Sequence, residues 1–323
     1  MADIFLTHTP ETRATYYGAR ALAALQALGS VRLNEADHPL TSAELLKASD
    51  GCRIIVSDRA TFGEAALFDA HPTLQAFLRC AVDIRTIDVG AASRNGILVT
   101  RATPGFGVAV AELILGQMID LARGISDHVA AYRAGQPPVI RIGRQLRGAT
   151  LGIVGYGTIG RILGDLASAL GMQVLIQDPG MTGRAVVSFE TLLADSDFVV
   201  CLAPNLPETA NLFDAQAFAA MKPGAFFLNA ARGELVEDAA LVAALDAGQI
   251  GGAALDVGRA PDQMPASLLA GRADVIATPH IGGLTREATE HQAMDTVAQV
   301  EAILAGRMPP GAVNGEAARR LGL

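Results

Sequence analysis

Three glycines and an aspartate carry the strongest chemical signal in this chain of 323 residues. Gly155, Gly157 and Gly160 form G-x-G-x-x-G within RGATLGIVGYGTIGRILG, where an apolar run ending at Val154 turns into a helix-like segment. Eighteen residues beyond Gly160, Asp178 closes the next apolar run, Val174-Leu175-Ile176. Together these are the parts needed to bind a dinucleotide. Gly155 permits a tight turn, Gly157 lets the backbone approach a pyrophosphate, and Gly160 lets helix and strand pack closely. The helix N-terminus offers free N–H groups and partial positive charge to the phosphates. Asp178 can accept both hydroxyls of an adenosine ribose and would repel a 2′-phosphate, which favours NAD over NADP.

Two further residues stand just past strand-like runs, where open α/β sheets bind ligands. Arg232 follows Phe226-Phe227-Leu228 in MKPGAFFLNAARGELVED, and His280 follows Val275-Ile276-Ala277 in DVIATPHIGG. A guanidinium there can form a bidentate pair with a carboxylate. An imidazole can exchange a proton near neutral pH. Reducing a 2-keto acid with NADH needs both, a fixed cation for the carboxylate and carbonyl and a proton donor for the developing alkoxide. Taken singly, Arg232 reads equally well as a surface ion-pair partner, His280 as a turn histidine, and Asp256 as the end of a strand. The fingerprint upstream is what favours chemistry at Arg232 and His280.

The elements that must position these residues are strands alternating with helices. Short apolar runs recur at Ile4-Phe5-Leu6, Val31-Arg32-Leu33, Ile54-Ile55-Val56 and Ile97-Leu98-Val99. They continue at Gly152-Ile153-Val154, Val174-Leu175-Ile176, Phe198-Val199-Val200, Phe226-Phe227-Leu228, Ala253-Ala254-Leu255 and Val275-Ile276-Ala277. Such alternation predicts parallel sheets with right-handed crossovers. The apolar segment from Val108 to about Ala134 reads as one long helix with more apolar surface than one domain face requires. It is therefore expected to bridge domains or form a dimer. A final helix is expected from Glu287 to about Leu304, with the tail after it packed back onto the first domain.

Length alone suggests two domains. Half the residues are hydrophobic, as suits an α/β protein with both sheet faces covered. The formal charge of −8 argues against nucleic acid or an anionic membrane as the main partner. No apolar run is long enough to span a bilayer, and MADIFLTHTP lacks a signal-peptide pattern. A soluble cytoplasmic protein is expected. Cys52, Cys80 and Cys201 form no C-x-x-C pair and read as reduced, small hydrophobes, while the six histidines lack metal-ligand spacing, so no metal site is expected.

From about Arg53 to Gly283 the chain resembles the D-isomer-specific 2-hydroxyacid dehydrogenases. The stretches that carry the resemblance are TPGFGVAVAEL, GIVGYGTIG, MKPGAFFLNAARGELV, ALVAALDAGQIGGAALDV and TPHIGG. It implies two doubly wound, Rossmann-like parallel-sheet domains around a cleft. Residues 1–102 with 285–323 would bind substrate, and residues 103–284 would bind NAD. Carried over by position, Arg232 would bind the substrate carboxylate and His280 would be the acid/base. Thr158 and Ile159 would contact the pyrophosphate, and Asp178 the ribose. Ala230 and Asp256 would hold the nicotinamide half, with Gly282 and Gly283 beside it; Pro204 and Ala231 complete the cofactor set. Arg79, Ala81 and Val82 would meet the substrate, and a homodimer is expected.

Two departures from the family pattern stand out. The family carries a glutamate, five residues after the Asp of its D-V-F-x-x-E-P motif, that bonds the catalytic histidine; here Pro261 stands five residues after Asp256. A one-residue insertion would bring Asp262 into that place to orient His280. Gln263 could instead do so through a neutral hydrogen bond, as in the formate dehydrogenase branch. In the loop that usually reads R-x-G-x-G-x-D-N-I-D, Ala81 and Asp83 replace glycines. Asp83 would repel an anionic substrate unless Arg79 or Arg85 pairs with it, and Asp58 makes phosphoglycerate a less expected substrate. Two other functions compete with the 2-keto acid reductase: a non-catalytic NAD(H)-responsive binding protein of the same fold, and hydride removal from an anion such as formate.

Overall fold

A computed structural model describes residues 4–183, 185–260 and 262–322. The chain divides into two compact units, residues 1–105 with 285–323 and residues 106–284. In the first unit, β1 (Ile4–Leu6), β2 (Val31–Leu33), β3 (Ile54–Ser57), β4 (Ala76–Arg79) and β5 (Leu98–Arg101) form one parallel sheet in the order β2-β1-β3-β4-β5. Alternation along each strand fills two cores. Ile4, Leu6, Val56 and Leu78 face one side with Tyr17, Leu25 and Val300, while Phe5, Ile55, Phe77 and Val99 face the other with Leu45, Phe68 and Ala92. The helix Arg286–Leu304 lies on the first of these faces, where Thr296 and Tyr17 share a buried hydroxyl hydrogen bond of 3.0 Å. The tail after it runs along β5: Val313 N–H donates to Val99 O, and the Asn314 side chain accepts from Val99 N–H.

The second unit holds β6 (Thr150–Val154), β7 (Gln173–Gln177), β8 (Phe198–Cys201), β9 (Ala225–Asn229), β10 (Ile250–Leu255) and β11 (Val275–Ala277). Their order is β11-β10-β9-β8-β6-β7, again parallel throughout. Strand order reverses direction at β6, so β6 and β8 flank a switch point where doubly wound folds bind their ligands. Both faces are covered, one around Phe213, Phe218, Phe227 and Leu241, the other around Ile114, Met118, Leu163 and Phe198.

Two elements differ from the sequence reading. β4 is absent from the apolar runs named above, because its short core sequence ends in a charged residue, Arg79, that the fold buries completely. The segment from Val108 to Ala134 is not one helix. It is Gly107–Arg123 followed by Ile125–Arg133, broken where Gly124 takes the left-handed conformation at φ 62°.

Candidate active site

The glycine turn leaves β6 with each glycine under a different constraint. Gly155 has φ 94°, and a Cβ on it would lie 2.6 Å from the backbone of Leu202 and Ala203 just past β8. A Cβ on Gly160 would lie 2.6 Å from Gly155 O. Gly157 has nothing within 4 Å of a built Cβ, so open space stands before the helix Thr158–Ala169, which no side chain caps. That uncapped end, beginning at Thr158 and Ile159, and the open space before it fit a pyrophosphate. Asp178, at the end of β7, accepts Tyr156 N–H at 2.7 Å on one oxygen and Gly180 N–H at 2.9 Å on the other. Its carboxylate thus ties the glycine turn to the neighbouring strand and keeps lone pairs for ribose hydroxyls.

Arg232, Asp256 and His280 follow three adjacent strands, β9, β10 and β11, along the same sheet edge as the glycine turn. Buried Asn229 shapes the Arg232 loop: its side chain donates to Arg232 O at 2.9 Å and accepts Ala231 N–H at 3.0 Å. Arg232 is exposed and its guanidinium donates to Ala231 O at 2.6 Å, while Ala230 and Ala231 are half-buried at the strand end. Pro204 is exposed after β8, its carbonyl accepting the Thr209 hydroxyl at 2.6 Å.

Asp256 is the anchor of the His280 loop. Only 2% exposed, its carboxylate accepts the Thr278 hydroxyl at 2.6 Å, Ile281 N–H at 2.9 Å and Gly282 N–H at 2.8 Å. His280 lies at the centre of this claw with φ 55°, its N–H donating to Thr278 O at 2.9 Å. A Cβ on Gly282 would lie 2.8 Å from Asp256 Oδ2, and one on Gly283 3.3 Å from Phe106, so both glycines are held by close packing.

The loop after β10 holds the two candidate partners of His280. Asp262 is exposed and its carboxylate accepts Met264 N–H at 3.0 Å within the loop. Gln263 is buried, 7% exposed, with φ 62°. Pro261 lies outside the described residues. Arg259, which sequence reasoning passed over, clamps this loop to the one after β9 by donating to Val236 O, Glu234 O and the Asn211 side chain.

In the first unit, Arg79 is fully buried. Its guanidinium donates to Asp58 O, to Thr61 O at 2.9 Å and to the Thr86 hydroxyl at 2.9 Å, bracing the loops after β3 and β4 from beneath. Burial pulls its pKa down to about 10. Ala81 is buried and Val82 half-buried on that braced loop. Asp83 is paired with Arg85, one of the two arginines that could have neutralised it, through contacts of 3.1 and 2.9 Å.

Residues 115–282 match the sequence model of the D-isomer specific 2-hydroxyacid dehydrogenase NAD binding domain. D-3-phosphoglycerate dehydrogenase of Synechocystis sp. is 36% identical over 283 residues, 85% of this chain and 51% of that protein. The chain thus spans about half the length of that relative. (S)-sulfolactate dehydrogenase of Chromohalobacter salexigens is 37% identical over 274 residues, 82% of this chain and 89% of that one. The structure of TT0316 protein from Thermus thermophilus superposes with a TM-score of 0.82 at 33% identity, covering 96% of this chain and 99% of that one. The chain belongs to the D-isomer specific 2-hydroxyacid dehydrogenase family, and residues 115–282 form its NAD-binding domain.

Proposed function

We propose that this protein is an NAD-dependent oxidoreductase interconverting a small 2-hydroxy acid and its 2-keto acid. The observation that carries the reading is the set of three adjacent strand ends bearing Arg232, Asp256 and His280 on the sheet edge that also holds the glycine turn and Asp178. The bound nicotinamide supplies the reducing equivalent. Arg232 binds the substrate carboxylate, and His280 gives its proton to the keto oxygen in reduction and takes it from the hydroxyl in oxidation. Asp256 fixes the loop that presents the imidazole. Residues 106–284 hold the cofactor, while the first unit, through the backbone of Ala81 and Val82, contributes to substrate binding. Buried Arg79 supports that loop from within. Between the two candidate partners of His280, the burial of Gln263 supports it over exposed Asp262. A panel of 2-keto acids assayed with NADH tests the reading. His280→Ala should lower kcat by about 10²–10⁴-fold, and no turnover of any 2-keto acid would overturn the assignment. The same loop also supports the second reading, hydride removal from formate, which formate oxidation in the same assay would reveal.

A homodimer built on the second unit belongs to the same proposal. Tyr132, in the last turn of the helix Ile125–Arg133, and Val139, Ile140 and Ile142 beyond it are each exposed. Beside them a cavity of about 760 Å³, lined by Arg123, Arg141, Phe226 and Asp274 among others, opens at the sheet edge opposite the candidate site. Apolar exposure of this kind needs a cover. Light scattering at micromolar concentration is expected to give twice the chain mass. A cytoplasmic location is the companion proposal; among the described residues, no helix is long and apolar enough to cross a membrane.

A further inference from the structure

One exposed side chain laces together the loops after β8, β9 and β10. Arg259, on the loop after β10, donates from Nε to Val236 O at 2.9 Å. Its Nη2 donates to Val236 O at 2.6 Å and to Glu234 O at 3.2 Å, both on the loop that carries Arg232. The same nitrogen donates to the Asn211 side chain on the loop after β8. The Arg232 loop runs on into the helix Asp238–Asp246, where the Arg259 charge draws down an Asp238 carboxyl that burial raises. The loops after β8 and β9 are also paired directly: Phe213 N–H donates to Leu235 O at 2.9 Å, and Glu237 N–H to Phe213 O at 3.0 Å.

Glycines bring these loops into backbone contact. A Cβ on Gly233, the residue after Arg232, would collide with the backbone of Gly258 and Arg259. One on Gly258 would collide with Met264 O. Gly258 stands where the family motif D-V-F-x-x-E-P has its phenylalanine, so a close backbone approach replaces a bulky side chain. The loop folds back on itself there. Gly258 N–H donates to Gln263 O at 2.9 Å and Gln263 N–H to Ala260 O at 2.7 Å, with Gln263 buried at φ 62°. One guanidinium and two glycine contacts thus set where Gln263 lies relative to the backbone of Arg232.

We propose that Arg259 is a positioning residue, clamping the loop that carries Gln263 to the loop that carries Arg232 so that proton donor and carboxylate anchor act at one fixed spacing. This rests on the proposed reaction, with Gln263 as the partner of His280. Arg259 acts through Gln263 and touches neither substrate nor cofactor. Its planar fork reaches acceptors on two other loops at once, a geometry that suits a clamp better than a point charge. A substrate held by its carboxylate while its carbonyl takes a proton is sensitive to such spacing, since a displacement of about 1 Å can cost about a hundredfold in rate.

The test is a double-mutant cycle in the whole protein, read as kcat/KM for the 2-keto acid that is reduced fastest with NADH. Arg259→Gln alone should lower it about tenfold or more, mostly through kcat. Gln263→Gly removes the buried amide at a positive φ that glycine adopts freely, and adding Arg259→Gln to it should cost less than about twofold further. The Kd for NADH should stay within about twofold throughout, because the glycine turn and Asp178 lie outside the clamp. Losses that simply multiply, or an equal loss of NADH affinity, would make Arg259 a general structural support and overturn the proposal. Full turnover in Gln263→Gly would overturn it too, by removing the residue through which the clamp acts. Should Arg259→Gln fail to fold, Asn211→Gly, which deletes one acceptor at φ 54°, takes its place in the same cycle. Should the native protein reduce no 2-keto acid, the proposed function fails and the clamp is read from backbone hydrogen exchange. Arg259→Gln should then speed exchange at Gly258 and Gln263 together with Phe213 and Glu237, and leave Ile281 and Gly282 unchanged. Faster exchange in one loop alone would reject the coupling.

Discussion

At the scale of single residues, carboxylates in this protein hold loops together. Asp178 is proposed as a ribose acceptor on its distance from the glycines, which is a property of the sequence. Its bonds to Tyr156 and Gly180 were not legible there, because the first joins two strand ends that only the sheet brings together. We expect Asp178→Ala to narrow the preference for NAD over NADP and also to weaken NADH binding, since the turn loses its acceptor. Turnover with NADP equal to that with NAD in the unmodified protein would contradict the first half of this. Asp256 shows the same lesson more sharply: it reads as a strand end, yet it collects three donors from the His280 loop. Asp256→Asn turns an acceptor into a donor facing one of those groups. It should reduce stability by about 1–3 kcal/mol and lower kcat more than it raises the KM for NADH. Steady-state kinetics beside urea denaturation measures both. For the loop after β10, comparing Asp262→Asn with Gln263→Ala decides which residue orients the imidazole. The exposed aspartate is expected to be nearly silent in kcat and the buried glutamine costly.

Among the elements, most strands were readable from their short apolar runs, and the exceptions have physical causes. β4 ends in an arginine whose burial depends on acceptors from two other loops, and no local pattern announces that. The break at Gly124 was missed because apolar periodicity continues through it, while the backbone does not. Gly124 N–H donates to Asp120 O, and Ser126 is capped by the Asp120 side chain, so the second helix starts in a new direction from a fixed joint. Alanine fits the space there, its Cβ meeting His128 at 3.6 Å and Asp127 at 3.9 Å, but not the positive φ. Gly124→Ala should therefore cost about 1 kcal/mol, and if the exposed apolar residues beyond the joint form the dimer, it should weaken association as well. Sedimentation at falling concentration is the measurement.

Over the whole molecule, the two buried histidines whose pKa is pulled down lie in one unit. Burial drives His8 down to about 4 and lowers His71 too, and both belong to the first unit. Folded imidazoles that resist protonation let the unfolded chain bind more protons below pH 6.5. Stability is therefore full at neutral pH and falls as pH drops from 6.5 through about 4. The slope between pH 6.5 and 5, above the range of most carboxylates, should flatten in His8→Gln when urea midpoints are compared. An unchanged slope would assign the acid loss elsewhere.

The first unit is assembled from both ends of the chain. Its five strands come from residues 4–101, but the helix Arg286–Leu304 that covers one face, and the tail that pairs with β5, are made about 180 residues later. During synthesis, Tyr17, Leu25 and the inner faces of β1 and β3 are consequently left without their cover while the whole second unit emerges. At roughly 5–20 residues per second that interval lasts on the order of ten seconds or more. The continuous unit is free to fold first, whereas the one synthesised first must wait. A ribosome-stalled chain ending near residue 284 should therefore show a protease-resistant second unit and a first unit still open to cleavage. Newly made protein would pass through a stage that binds chaperones through residues 4–101, a vulnerability that the finished protein no longer displays.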